Sequence, residues 1–509
     1  MLLAFGRDPC LGFRAKSAMF TLRPRVTTAP LFPASSSLLS ASRGFLPGCI
    51  LLLALWWTCG NATAAALTDQ QAKWVSHAHR ESRHGWIYLR IQGSAEERGF
   101  QHGYLMGEEI AEEIRVRRAL WKQGSSHEWS WLVEKAAAMF APKIDPENRM
   151  ELEAIAAGMT ASLNPTTLDE LIAYNAYFEL EWYWWPKELK KIKDTAVPPK
   201  KEGCSSFIAT GSMTKGGGIV LGHNTWFGFA MASANVVLDV RPERGHHILM
   251  QTYPGWIHSG TDFFITDAGL IGSETTIDGM SGFDEKGVPE FCRFRRATQD
   301  ANSIDEWCAI MKAGNNGGYA SAWLLGDINS GEIARLELGL TQVAFERTKD
   351  GYYVGSNIAE DLKILRLEAE DKDQDIRANS VARRVRWKQL MRKNAGRIDL
   401  ATGERMLSDH FDAFHGKTRP GSRSLCGHGD VESDPGPAGT PFQPGGCFDA
   451  KVVDTASARK MSFIARWGRA CGTPFDAKRF LANHPQFDWL HGLIKDRPRQ
   501  PWTRFEAEK

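Results

Sequence analysis

The chain has 509 residues, of which 43% are hydrophobic and 24% are charged, and its 62 lysines and arginines nearly balance its 60 aspartates and glutamates. A chain of this length can bury a large core and can form one or two domains. Its balanced charge lacks the basic excess that nucleic-acid binding requires, so we expect no nucleic-acid partner.

The first 66 residues carry the features of a signal peptide. Arg43 precedes the apolar run 50–57, and the small residues 62–66 follow it. The apolar run is shorter than a membrane span, and the small residues fit a cleavage site near Ala66. We therefore predict a signal region at 1–66 and a mature, exported protein without a stable membrane span.

Residues 67–203 are predicted to form a mostly helical fragment. Asp145-Pro146 begins one helical pattern, and Thr167 with Glu170 has the capping-box spacing before the next helix. The aromatic segment 181–186 could line a pocket for an acyl chain, but buried packing is the usual role of such a cluster. The fragment ends in the Lys/Pro-rich stretch 187–201, which predicts a solvated loop.

The most informative segment lies at residues 203–226. Gly203-Cys204 opens a short apolar run, a Gly-rich turn follows at 215–218, and a second apolar run leads to His223. Two short runs on either side of such a turn predict a β-hairpin. A thiol at the start of one strand and an imidazole on its partner would then lie close together, as nucleophilic catalysis requires. On its own, this pair is more typical of core packing than of catalysis.

After residue 204 the pattern changes to short apolar runs separated by Gly, Asp and Asn. Strands are predicted at 236–240, 247–252, 263–266, 323–325, 333–338, 343–346 and 352–354, and helices at 303–313 and 378–391. Many strands with few helices between them indicate an α+β fold, in which sheets pack on each other under a cover of helices.

No motif predicts a metal or another cofactor. The sequence lacks a His-Glu-x-x-His motif, a Cys-x-x-Cys pair, a Walker loop and a Gly-x-Ser-x-Gly elbow. His410, His415 and His428 lie among Asp and Gly residues. A metal there is one alternative, but ordinary loop histidines are several times more common, and we interpret them in that way.

Six of the nine cysteines follow the signal region. If Cys204 is a nucleophile, five remain, and an odd number leaves at least one unpaired. An oxidising compartment permits a disulfide, for which Cys426 and Cys447 are a candidate pair, although sequence alone does not set the connectivity.

Several motifs resemble the phospholipase B-like family of N-terminal-nucleophile hydrolases. The first are Cys204-Ser205-Ser206 and Gly222-His223-Asn224-Thr225-Trp226. Matching stretches follow in the same order at 253–255, 262–265, 269–277, 356–358, 377–378, 383–384, 441–443, 446–451 and 485–489. The resemblance runs from about Gly203 to the C-terminus, whereas the segment 93–103 is more similar to penicillin-acyltransferase-type hydrolases of the same superfamily.

The resemblance implies an αββα sandwich in which the chain cuts itself between Gly203 and Cys204. Cys204 then becomes the N-terminal nucleophile of a catalytic region at 204–509, which is expected to stay associated with the fragment 67–203. The implied roles are a polar partner for Cys204 (His223), an oxyanion donor (Asn357), a residue that orients the amine or a water (Thr276), a charged residue that completes the pocket (Arg377), and hairpin support (Asn224 and Trp226).

The implied reaction is hydrolysis of an acyl ester or amide bond in a lipid-like small molecule, through an acyl-enzyme and without a cofactor. One alternative is a penicillin-acyltransferase-type amidase or acyltransferase that acts on N-acyl amines or penicillin-like amides. Another is a non-catalytic binding protein of the same fold. No Asn-x-Ser/Thr sequon follows residue 66, whereas lysosomal relatives in animals are typically glycosylated. We therefore expect a bacterial periplasmic or secreted location, with a lysosome-like lumen as the alternative.

Overall fold

Two β-sheets lie face to face in the computed structural model, which describes residues 66–192, 203–231, 234–260, 263–369, 374–436 and 439–508. The predicted signal region up to residue 65 and the part of the Lys/Pro-rich stretch from 193 onward lie outside the described residues. Among the helices that are described, none is both long enough and apolar enough to cross a lipid bilayer.

Within the described residues, seventeen strands form the sheets. They are β1 (His79–Arg83), β2 (Trp86–Gly93), β3 (Ser205–Gly211), β4 (Gly217–Gly228), β5 (Asn235–Pro242), β6 (Ile248–Thr252), β7 (Phe263–Thr266), β8 (Leu270–Thr276), β9 (Ser321–Asp327), β10 (Glu332–Leu338), β11 (Val343–Thr348), β12 (Gly351–Gly355), β13 (Phe411–Asp412), β14 (Lys417–Thr418), β15 (Gly445–Asp454), β16 (Ser462–Trp467) and β17 (Thr503–Glu506). A nine-stranded sheet has the order β1-β2-β5-β6-β7-β8-β9-β10-β11, a six-stranded sheet has the order β12-β3-β4-β15-β16-β17, and β13 pairs with β14 alone.

Helices lie before, between and after the strands. They are α1 (Asp69–Ser76), α2 (Ala95–Ser125), α3 (Trp129–Phe140), α4 (Pro146–Ala161), α5 (Leu168–Asn175), α6 (Tyr177–Glu179), α7 (Trp185–Ile192), α8 (Glu290–Asp300), α9 (Ile304–Lys312), α10 (Leu362–Leu367), α11 (Asn379–Asn394), α12 (Leu400–Leu407), α13 (Thr455–Ala458) and α14 (Ala477–Asn483). A π-helix at Leu180–Trp184 joins α6 to α7. The predicted starts of α4 and α5 are confirmed, because the side chains of Asp145 and Thr167 cap them.

Three apolar clusters define the layers. One lies between the sheets and joins side chains such as Ile208 and Leu221 of the smaller sheet to Leu249 and Ile271 of the larger one. A second packs the helices from α2 to α9 on the outer face of the larger sheet. The third packs α11 and α12 on the outer face of the smaller sheet. The predicted αββα sandwich, the arrangement expected of an N-terminal-nucleophile hydrolase, is confirmed.

The fragment before residue 203 contributes strands as well as helices. Its strand β2 pairs in parallel with β5, from Trp86 opposite Asn235 to Gly93 opposite Pro242. The polar strand β1 forms the edge of the sheet, where charged side chains face solvent and discourage pairing with other chains. The fragment is otherwise helical, as expected, and the polar sequence of β1 has no apolar alternation that would predict a strand.

The aromatic segment 181–186 is buried, as its composition predicts. Trp182 stacks on Phe178 with ring centres 4.5 Å apart, and Trp185 packs edge-on against Trp121 at 5.2 Å. These rings belong to the helical layer on the larger sheet.

Candidate active site

The predicted β-hairpin carries Cys204 and His223. Strands β3 and β4 are antiparallel, with Ser206 directly opposite His223 and Ser205 opposite Asn224. Cys204 immediately precedes β3 and is buried, with 1% of its surface exposed. It is therefore a diagonal neighbour of His223, and such neighbours are about 7–8 Å apart in a regular antiparallel pair.

Gly203 packs directly against the side chain of Asn357. A Cβ atom at Gly203 would lie 2.1 Å from Asn357 Cγ, which only a glycine avoids. Asn357 itself has a φ of +70°, in the left-handed region that asparagine tolerates better than most residues. Its Nδ2 donates a hydrogen bond to the backbone carbonyl of Thr276 at 2.6 Å. The structure thus brings Asn357 and Thr276 to the Gly203–Cys204 junction.

Arg383 of α11 holds the start of β3 from the other side. One guanidinium nitrogen donates to the Cys204 carbonyl at 2.7 Å and to the Ser205 hydroxyl at 2.9 Å. The other donates to Asn357 Oδ1 at 2.7 Å. Burial lowers the pKa of Arg383 to about 10, although the negative charge of Asp278 opposes this shift. Arg383 is therefore a buried cation that fixes the backbone of the candidate nucleophile.

The structure does not bring Arg377, the charged residue expected to complete the pocket, to this site. Arg377 lies before α11, with 59% of its side chain exposed, and its guanidinium pairs with Asp375 at 2.7 Å. It lines a separate surface cleft of about 350 Å³ together with Phe414, Arg423 and Asp434. Arg383, six residues further on, turns inward on the buried face of the helix and occupies the position expected for Arg377.

His223 faces the space between the sheets and is fully buried. Burial, and then the positive charge of Lys451, lower the pKa of His223 well below its usual range, while a smaller effect of the Glu274 backbone opposes them. Within the described residues, neither ring nitrogen has a hydrogen-bond partner of ordinary geometry. His223 is therefore a neutral imidazole, able to accept one hydrogen bond and to donate one.

A buried ion pair lies beside His223. Lys451 Nζ donates to Asp449 Oδ1 at 2.6 Å, to Thr225 Oγ1 at 2.6 Å and to Gln251 Oε1 at 2.7 Å. Lys451 is directly opposite His223 in the pairing of β4 with β15. Sequence reasoning gave neither charged residue a role, since a Lys in a strand pattern ordinarily predicts an exposed face.

Asn224 and Trp226 lie on the outer face of β4, where they support the hairpin. Asn224 Nδ2 and Trp226 Nε1 both donate to the Leu425 carbonyl, at 3.0 Å and 3.1 Å. The Trp226 ring also lies under Arg383, with the guanidinium carbon 4.5 Å from the ring centre. A cation over an indole ring is stabilised by the ring quadrupole, so Trp226 contributes to holding Arg383.

Cys426 and Cys447, the candidate pair for a disulfide, are not bonded to each other in the structure. Cys426 lies instead beside Cys471, His410 and His428, in a group whose ligand atoms are all within 4.8 Å of one another. His415 is not part of this group and pairs with Asp412 at 2.7 Å. The interpretation of His410 and His428 as ordinary loop histidines missed this cluster, which joins residues far apart in the sequence.

Comparison with known proteins identifies relatives. Residues 155–340 match the family model described as phospholipase B. Phospholipase B of Crotalus adamanteus is 24% identical over 302 residues, which are 54% of this chain and 51% of that protein. Human phospholipase B-like 1 is 25% identical over 283 residues, 48% of each chain. This chain therefore spans about half the length of the curated relatives it matches.

Among solved structures, a variant of the conjugated bile acid hydrolase from Clostridium perfringens aligns with 52% of this chain and 89% of its own. The identity is 10% and the TM-score is 0.31, and a superposition this weak supports no conclusion about the reaction. The sequence comparisons, rather than this superposition, confirm the resemblance of this chain to the phospholipase B-like family.

Proposed function

We propose that this protein hydrolyses acyl ester or amide bonds of lipid-like molecules and that Cys204, freed by self-cleavage, is its nucleophile. The observation that carries this proposal is the buried Gly203–Cys204 junction, held between Asn357 and Arg383. A binding protein of this fold has no need for a glycine packed on an asparagine amide beside a buried thiol and cation.

The first step is cleavage of the chain's own backbone. The Cys204 thiol attacks the Gly203 carbonyl carbon, the bond from that carbon to the Cys204 nitrogen breaks, and the thiol proton passes to the nitrogen. The product is a thioester, which water hydrolyses to a Gly203 carboxylate and a free Cys204 thiol. Glycine suits this position because it tolerates the backbone geometry of such an attack.

Turnover uses the groups that cleavage creates. The new α-amino group of Cys204 has a reference pKa of roughly 7.7–8.0, so near neutrality a substantial fraction can accept the thiol proton. The thiolate attacks the substrate carbonyl, an acyl-enzyme forms, and water releases the acid. In this scheme Asn357 donates to the oxyanion, Thr276 orients the amine or a water, His223 is the polar partner of Cys204, and Arg383 positions the nucleophile.

The two products of cleavage would remain one body, because β2 of the first fragment pairs with β5 of the second over eight residues. The predicted signal region at 1–66 supports export of this assembly to a bacterial periplasm or to the outside of the cell, with a lysosome-like lumen as the alternative.

The similarity of segment 93–103 to penicillin-acyltransferase-type hydrolases has a packing explanation. A Cβ atom on Gly99 or Gly103 of α2 would lie 2.3 Å and 2.0 Å from backbone oxygens of α4. These glycines therefore permit close contact between two helices. Because helix packing explains these glycines, they do not by themselves favour an amidase, and the substrate assays below test that activity.

Intact mass and N-terminal sequencing of the purified protein test the cleavage. We expect fragments of about residues 67–203 and 204–509, with Cys204 at one new terminus. Cys204→Ala should remain uncut and inactive, because it has no nucleophile. The matched control Cys308→Ala removes a buried thiol of α9 and should still be cut. An active chain that is uncut at Gly203 would overturn the proposal.

Assays on the cut protein then distinguish the substrates. We expect release of fatty acid from a phospholipid or from a simple acyl ester. Turnover of N-acyl amines or penicillin-like amides alone would favour the amidase. Correctly cut protein that turns over none of these substrates would leave the binding protein as the better account.

A further inference from the structure

Four potential metal ligands converge on one point outside the candidate active site. His410 follows α12, Cys426 and His428 lie two residues apart in the loop before β15, and Cys471 follows β16. Their ligand atoms all lie within 4.8 Å of one another. Chain segments from three separate regions therefore present two imidazoles and two thiols to a shared centre.

Three distances within the group, all to His428 Nε2, are close to those of a tetrahedral metal site. His410 Nε2 lies 3.1 Å from His428 Nε2, which lies 3.7 Å from Cys426 Sγ and 3.5 Å from Cys471 Sγ. With Zn–N bonds of about 2.0–2.1 Å and Zn–S bonds of about 2.3 Å, a regular tetrahedron places two nitrogens about 3.3 Å apart and a nitrogen and a sulfur about 3.5 Å apart. The observed separations are within a few tenths of an ångström of these values.

The surrounding structure holds these ligands in place. Cys426 and His428 are buried, and the backbone N–H of Cys426 donates to the Asp409 carbonyl at 3.1 Å. Arg386 fixes Asp409 with two hydrogen bonds, at 2.8 Å and 2.7 Å. The segment on either side of His410 is therefore anchored to α11.

Cys471 receives its own support from the next turn. The backbone N–H of Thr473 donates to Cys471 Sγ at 3.4 Å, and the Cys471 thiol donates to the Thr473 hydroxyl at 3.2 Å. A backbone donor of this kind stabilises a metal-bound thiolate and orients it, as outer hydrogen bonds do in known metal sites.

We propose that His410, Cys426, His428 and Cys471 bind a zinc ion with a structural role. Two thiolates and two imidazoles in a tetrahedron are the ligand set that favours zinc over magnesium, calcium or manganese. Four protein ligands fill the coordination sphere, which is typical of structural sites, whereas catalytic zinc keeps one position for water or substrate.

The ion would brace the hairpin that carries the candidate nucleophile. Leu425, next to Cys426, accepts the hydrogen bonds from Asn224 and Trp226 of β4. Gly427, between two ligands, packs so closely on the Trp226 ring that a Cβ atom would lie 2.2 Å from it. Zinc at this position fixes the loop on which Trp226 rests, and Trp226 in turn lies under Arg383.

Metal analysis of the wild-type protein is the direct test and does not depend on the proposed reaction. The whole chain is expressed with zinc in the medium, passed over a chelating resin, and analysed by elemental mass spectrometry and by intact mass under denaturing conditions. We expect one zinc ion per chain and, in the mature chain after residue 66, no disulfide among its six cysteines. A zinc-free protein with a disulfide among Cys426, Cys447 and Cys471 would overturn the proposal.

Ligand variants and matched controls test the assignment. His410→Ala and Cys471→Ser should lose the zinc and lower the melting temperature. His415→Ala and Cys308→Ser remove residues of the same types outside the group and should retain the metal. If a ligand variant fails to fold, cobalt substitution of the wild type still tests the site, since the absorption of a tetrahedral cobalt–thiolate centre is expected. Retention of zinc by both ligand variants, or an octahedral cobalt spectrum, would refute the assignment.

Discussion

The space between the two sheets has an apolar part and a polar part. The apolar part contains side chains such as Ile208, Leu221, Leu249 and Ile271, all fully buried. The polar part, close to Cys204, contains the equally buried His223, Thr225, Gln251, Asp449 and Lys451. Both parts exclude water to the same degree, yet they are stabilised in different ways.

Burial of apolar surface stabilises the first part, at roughly 25 cal/mol for each Å² removed from water. Desolvation of charges opposes folding in the second part, and the Lys451–Asp449 pair offsets that cost only through the surrounding hydrogen bonds. A buried ion pair is therefore poor evidence for stability. Its position beside His223 indicates that this part of the interface is adapted to the candidate site, where a fixed charge acts on His223.

Loss of the buried cation should have the largest effect. Lys451→Met keeps much of the side-chain volume but leaves the Asp449 carboxylate without its cation, so the free energy of unfolding should fall by about 3–5 kcal/mol. Denaturant titration measures the change. The double variant Lys451→Met, Asp449→Asn removes both charges and should recover part of the loss. A loss for Lys451→Met no larger than that of a surface ion pair would contradict this account.

Loss of the proposed oxyanion donor should have the second-largest effect. Asn357→Gly removes the amide and remains compatible with the φ of +70°, so kcat should fall by roughly 10²–10³ with little change in KM. The rate is measured on fully cut protein and expressed per cut molecule, which separates turnover from cleavage. Unchanged kcat would remove Asn357 from the oxyanion site.

The pH dependence of stability should depend on His223. Its pKa is depressed in the folded state, so the unfolded chain binds the proton more tightly and stability is lost as the pH falls below about 6.5. For one group this loss is up to about 1.4 kcal/mol per pH unit. His223→Gln lacks this contribution. As the pH falls from 7 to 5, the free energy of unfolding of wild type should therefore decrease relative to that of the variant. Parallel pH profiles of the two proteins would contradict a buried neutral imidazole.

The smallest effect is expected in the apolar part. Ile271→Val removes one buried methylene and should reduce the free energy of unfolding by about 0.5–1.5 kcal/mol, with cleavage and kcat unchanged. The same denaturant titration and rate assay apply. A large fall in kcat for this variant would show that the two parts of the interface are not as separate as their composition indicates.

Much of the fold could be predicted from local pattern. The hairpin of β3 and β4 follows from two short apolar runs and a Gly-rich turn, and the caps at Asp145 and Thr167 are local features as well. The edge strand β1 could not be found in this way, since its stability comes from pairing with β2 and its side chains carry no apolar alternation.

The site was harder to predict where it depends on long-range contacts. Arg377 and Arg383 lie six positions apart, and only the start of α11 at Asn379 decides which of them turns inward. No spacing motif predicts the cluster of potential metal ligands, because its members lie in three loops: His410, Cys426 with His428, and Cys471. The juxtaposition of Cys204 and His223 could be predicted because the hairpin that joins them is local.

The parallel pairing of β2 with β5 has a thermodynamic consequence for a protein cut at Gly203. Unfolding such a protein would release two polypeptides rather than one, so refolding becomes a second-order encounter and apparent stability depends on protein concentration. The midpoint of reversible denaturant unfolding of the cut form should therefore rise with protein concentration. The midpoint of uncut Cys204→Ala should stay constant. A midpoint independent of concentration in the cut form would argue against release of the first fragment. Before cleavage, the chain could refold alone. After cleavage, fragments that separate in dilute solution would rarely meet again, so the cut protein would seldom refold.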